Sequence, residues 1–178
     1  MRLRFRFLWL LLRAVLKKED IPPDGRYVLH FWLMPFDCVV LLAGNDRYHA
    51  FLDLCRFHVA LVLGWWRKLL FGSWRAQLVS CSISHRAPLR VFERFTVSTR
   101  IIHFNTRFLW LIHTFESNNA SIAIAVSKLT LQSHHASVNL RSVPHLFEAN
   151  NYSLLDPTTI SKLYWIEQFL KQHARSCS

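Results

Sequence analysis

Residues 29–57 read LHFWLMPFDCVVLLAGNDRYHAFLDLCRF, and this stretch decides the fold. An apolar strand runs into Pro35, and a loop carrying Asp37 follows. Gly44-Asn45-Asp46-Arg47-Tyr48 then opens an amphipathic helix. Asn45 or Asp46 suits the N-cap, because a short side-chain oxygen there accepts the orphan N–H bonds of the first turn. Free N–H groups at a helix start attract negative charge. A strand, a loop and a helix start together form a candidate oxyanion site, with the backbone of Gly44, Asn45 and Asp46 as its donors.

Downstream, the helical pattern lasts to Leu63. Tyr48, Phe51, Leu52, Cys55, Val59 and Val62 form one stripe. The helix is apolar nearly all round, which predicts burial. Gly64 suits its C-terminal cap, and residues 65–71 read as a second short helix or a lid. Upstream, Pro22-Pro23-Asp24-Gly25 is a turn and Tyr27 to Leu33 a strand. Four strands follow the helix: Trp74 to His85, Val91 to Phe104, Arg107 to Glu116 and Ala120 to Leu131. Asn105-Thr106 and Ser117-Asn118-Asn119 are the turns between the last three. Short turns between strands predict an antiparallel meander. The inserted helix gives an α+β class, with that helix covering one sheet face.

The chain ends differ from this middle. Residues 1–20 predict a basic amphipathic helix, with Phe5, Leu8, Trp9, Leu12 and Leu16 on one face and Arg2, Arg4, Arg6, Arg13, Lys17 and Lys18 beside it. Its apolar core, Phe7 to Leu12, is far shorter than the about 20 residues of a membrane span. Two uses fit: lying in a membrane interface, or packing on protein. Residues 26–133 form the expected domain. Residues 134–178 read as a polar segment followed by a helix from Asp156-Pro157, whose apolar face is Ile160, Leu163, Ile166, Phe169 and Leu170.

At 178 residues and 52% hydrophobic content the chain can bury a core. Its net charge of +11 favours anionic partners: coenzyme A phosphates, anionic lipid or nucleic acid. Nucleic acid is disfavoured, since the arginines are spread through strands and no recognition motif is present. Cys38, Cys55, Cys81 and Cys177 show no metal-ligand spacing, so neither a metal nor a cofactor is expected. Unpaired thiols suit a cytoplasmic location, with peripheral attachment to the inner face of a membrane as an extension of it. Only 4 glycines are present, which excludes a Gly-rich phosphate loop.

The opening stretch resembles the start of a 4-hydroxybenzoyl-CoA thioesterase-like hotdog domain, in the acyl-CoA thioesterase-like branch that carries an N-terminal hydrophobic helix. That family reads P-x-D-x-D-x-N-x-H-M-N-N-x-R-Y here. This chain keeps Pro35, Asp37, Asn45, Arg47, Tyr48, Asp53 and Arg56. The resemblance continues through Ile83, Arg86, Pro88, Leu89, Phe92, Phe95, Thr99, Arg100, Phe108 and Glu116, and covers residues 1–131. It implies a hotdog fold: an antiparallel sheet wrapped around one long central helix, with extra terminal helices. It also implies action on acyl-CoA or a related acyl thioester, and a homodimer or higher homo-oligomer with sites between subunits.

The resemblance implies a catalytic carboxylate in the loop, and this chain lacks it. Counted from Pro35 and Asp37 the position is Val39; counted from Arg47 and Tyr48 it is Cys38. Three readings stand. In the first, hydrolysis is displaced to Asp53 on the central helix, where another hotdog branch carries its acid, or to Asp37; Asp53 also has a structural use. In the second, the protein binds acyl thioesters or lipid without turnover, and the apolar loop lines an acyl tunnel. In the third, Cys38 is a nucleophile beside Asp37; a neighbouring carboxylate opposes this by raising a thiol pKa.

Overall fold

The computed structural model describes residue 22 and residues 25–39, 41–72, 74–133 and 137–143. The helices expected near the two termini lie outside these residues. Strand β1 spans Arg26–Trp32, and a single 3-10 turn, Pro35–Asp37, follows it. Two short strands, β2 (Cys38–Val39) and β3 (Leu42–Ala43), make a hairpin not foreseen from the sequence. Helix α1 spans Asn45–Val62 and α2 spans Trp66–Leu70. Four strands follow: β4 (Arg75–His85), β5 (Arg94–Phe104), β6 (Phe108–Ser117) and β7 (Ala120–Gln132).

The sheet order β1-β5-β6-β7-β4 corrects the expected simple meander. Only β5, β6 and β7 follow one another across the sheet. Helix α1 carries the chain over the sheet to the far edge, where β4 pairs with β7. The 86–93 segment brings it back, and β5 lies beside β1 with Tyr27 opposite Thr99. Strand periodicity fixes which face a residue takes, not which neighbour its strand has. Every pairing is antiparallel, as the expected α+β class required.

Helix α1 buries Tyr48, Phe51, Leu52, Cys55 and Val59 against the inward sheet face. Phe51 meets Phe31 and Phe95, each with ring centroids 5.0 Å away. Tyr48 sits edge-on to Phe115 at 5.3 Å. Such aromatic pairs add about 0.5–1.5 kcal/mol beyond area burial. A second cluster at the far end of α1 gathers Tyr27, Val59, Leu63, Trp65, Leu111 and Leu140. The hairpin turn after β6 uses Asn118 and Asn119, both at positive φ, which asparagine tolerates best among residues with a Cβ.

Candidate functional site

The start of α1 is built from backbone. Its N-cap is Gly44, at φ −71° and ψ 157°, one residue before the expected Asn45 and two before the alternative Asp46. No side chain among the described residues caps it, and Arg47 N–H donates to the Gly44 carbonyl at 3.0 Å, which leaves the earlier N–H groups of the turn for water or a ligand. Asp46 instead turns to Arg47, with 3.2 Å between its carboxylate and the guanidinium. The segment after β4 clamps this end. Ala43 N–H donates to the Leu89 carbonyl at 3.0 Å, and Leu89 N–H donates to the Tyr48 hydroxyl at 3.3 Å.

The loop ahead of the helix faces two ways. Asp37 is buried, and its carboxylate accepts from Met34 N–H at 3.4 Å. Cys38 donates its thiol to the Met34 carbonyl at 3.5 Å. Burial, and secondly the Asp37 charge, push the Cys38 thiol up, which disfavours the thiolate a nucleophile requires. Leu41, at φ +69° and 68% exposed, and Leu42 point to solvent in the single chain.

The apolar cavity lies at the other end of the helix. It measures about 260 Å³ between the second half of α1 and strands β4, β6 and β7. Val59, Ala60, Trp65, Leu111, Leu129 and Leu131 form much of its wall. Asp53 and Arg56 also border it. The Asp53 side chain is 69% exposed and that of Arg56 only 9%, and the two are paired one helical turn apart. Asp53 stands eight residues beyond Asn45, about 12 Å along the axis. One chain therefore does not bring Asp53 to its own helix start.

Arg56 is held by a buried polar chain that the sequence reading missed. Its Nε donates to Ser127 Oγ at 3.3 Å and its Nη2 to Cys81 Sγ at 3.5 Å. Ser127 Oγ lies 3.1 Å from His113 Nε2, and His113 Nδ1 lies 2.9 Å from Thr99 Oγ1. Burial, then the nearby Arg56 charge, lowers the His113 pKa to about 3, so the ring is neutral at pH 7. A signal was present: His113 falls in phase with Leu109, Leu111 and Phe115, the inward set of β6. Burial also pushes the Cys55 thiol up to about 12, partly offset by its bond to Thr99.

A sequence profile described as the thioesterase-like superfamily matches residues 32–145. The chain belongs to the thioesterase-like superfamily. Solved structures repeat its hotdog architecture. A gentisyl-coenzyme A thioesterase aligns at 20% identity and TM-score 0.61, over 66% of this chain and 98% of its own. A 4-hydroxybenzoyl-CoA thioesterase mutant, complexed with 4-hydroxybenzoyl-CoA, aligns at 13% identity and TM-score 0.61, over 66% and 94%. A DHNA-CoA thioesterase from Staphylococcus aureus gives 10% identity and TM-score 0.63, over 71% and 89%. No curated protein matches at a significant level. At these identities the structural likeness of the thioesterase-like chain to its neighbours carries the fold alone.

Proposed function

We propose that this thioesterase-like chain binds acyl-CoA or a related acyl thioester, with weak or no hydrolysis. The observation that carries the proposal is the apolar cavity bordered by Asp53 and the half-buried Arg56. An acyl chain fits such a wall, and burial contributes about 0.8 kcal/mol per methylene. The helix start at Gly44 to Asp46 supplies backbone donors for the thioester carbonyl. Coenzyme A thioesters are the ligands named for the neighbours above, and the net charge of +11 suits their phosphates.

The two half-sites stand about 12 Å apart along one helix. In this reading they meet across a twofold axis, the helix start of one copy facing Asp53 of the other. Among the described residues β1 and β4 are the sheet edges, and β4, largely exposed and bonded there to β7 alone, supports such pairing. A monomer at micromolar concentration in light scattering would retire this arrangement. The same reading includes peripheral attachment of residues 1–18 to anionic membranes. Cys38, Cys55 and Cys81 are free, which supports a reducing, cytoplasmic setting.

Weak turnover follows from the residues at the family's carboxylate position, Val39 or Cys38. General-base assistance typically supplies about 10²–10⁴-fold. The test is a thioester hydrolysis panel on wild type, Asp53→Asn and Val39→Asp. Robust wild-type turnover abolished by Asp53→Asn supports displaced catalysis. Tight acyl-CoA binding without turnover supports the binder, the reading the missing carboxylate favours. Robust turnover indifferent to Asp53→Asn defeats both, and moves the search to Asp37, Asp46 or Cys38.

A further inference from the structure

Residues 64–72, with Trp74 and Arg75, form a hydrogen-bonded knuckle with an apolar tip. Gly64, at φ +74°, turns the chain out of α1. Trp65 N–H donates back to the Ala60 carbonyl at 2.8 Å, and its side chain is buried as an anchor. Helix α2 then closes through Phe71 N–H to Arg67 carbonyl and Trp74 N–H to Lys68 carbonyl, at 3.0 and 3.2 Å. A Cβ on Gly72 would stand 2.6 Å from the Lys68 carbonyl oxygen, so only glycine fits that closure. The outcome is Phe71 at 83% exposure, with Leu70 also exposed. Both stand beside the backbone bonds that close this turn.

Cations flank this tip along the chain. Arg67, Lys68 and Arg75 are all exposed. The Lys68 ammonium lies 4.4 Å from the Trp74 ring centroid, and the Arg67 guanidinium 5.3 Å from that of Trp66. No acidic residue occurs between Asp53 and Glu93. Exposed Phe and Leu, flanking Trp and a collar of cations are the chemistry of an anionic bilayer interface. A second copy of this chain is a poor occupant, because a twofold would set the same cations against each other. The knuckle also abuts the cavity, since Trp65 and Leu69 line that wall.

We propose that the knuckle of residues 66–72 with Trp74 and Arg75 docks on the surface of an anionic membrane, with Phe71 and Leu70 inserted and Arg67, Lys68 and Arg75 on the headgroups. The surface is separate from residues 1–18 and does not rest on the thioester reading. Its test is co-flotation of the full chain with phosphatidylcholine vesicles, alone or mixed with phosphatidylserine. Wild type, Phe71→Ser and Lys68→Glu are each compared on the native background and on one carrying Arg2→Ser, Arg4→Ser, Arg6→Ser and Trp9→Ser. Wild type should float with phosphatidylserine vesicles on both backgrounds. Phe71→Ser and Lys68→Glu should each lower partitioning by about tenfold, with unchanged circular dichroism. Undiminished flotation of both variants overturns the proposal, as does absence of wild-type binding to either vesicle. A change of oligomeric state on Phe71→Ser would assign the knuckle to a second copy and overturn it equally.

Discussion

His113 makes stability depend on pH in a calculable way. Its ring is fully buried between Thr99 and Ser127, and its folded pKa is about 3 against an ordinary 6.5. Above pH 6.5 the imidazole is neutral in both states and contributes no slope. As pH falls below 6.5 the unfolded chain takes up a proton that the folded chain refuses, so stability is lost on acidification until about pH 3. At pH 5 the loss is about 2 kcal/mol, from 1.36 kcal/mol for each pH unit between 6.5 and 5. With a urea slope of about 2 kcal/mol/M, that moves the unfolding midpoint by about 1 M. His113→Gln keeps an amide able to reach Ser127 and removes the titration. The assay is urea unfolding of both proteins at pH 7.5 and pH 5. Other titrating groups, including His103, whose pKa burial lowers, act in both proteins and cancel in the difference. Equal pH dependence of the two midpoints would refute the argument, whatever the fixed cost of the substitution.

Three further outcomes are expected. Ala76→Trp, on an exposed cavity-lining residue of β4, should lower acyl-CoA affinity by about tenfold in calorimetric titration without moving Tm. Tyr48→Phe removes the acceptor of the buried Leu89 N–H and should cost about 1–3 kcal/mol in urea unfolding. Gly64→Ala meets open space but stands at φ +74°, so a loss of about 1 kcal/mol in thermal unfolding would report backbone strain alone.

The sequence by itself determined the local elements and their inward faces. The helical spacing of Tyr48, Phe51, Leu52, Cys55 and Val59 reappears as the buried side of α1, because a period of 3.6 is written directly into residue order. The motif around Pro35, Asp37, Arg47 and Tyr48 gave the family, and the strand alternation gave the β4 to β7 segments to within three residues. The cap of α1 is Gly44 rather than Asn45 or Asp46, since helix ends depend on backbone contacts such as Ala43 to Leu89 as well as on side-chain preference. Strand order was decided only in three dimensions. The placing of β4 beyond β7 rests on the path of α1 over the sheet, which alternation does not encode. The same holds for the site. Thr99, His113, Ser127, Cys81 and Arg56 come from five different elements, and the tertiary fold alone brings their polar atoms within bonding distance. A half-buried arginine and a buried neutral histidine are tolerated there because each finds partners that no stretch of sequence holds together.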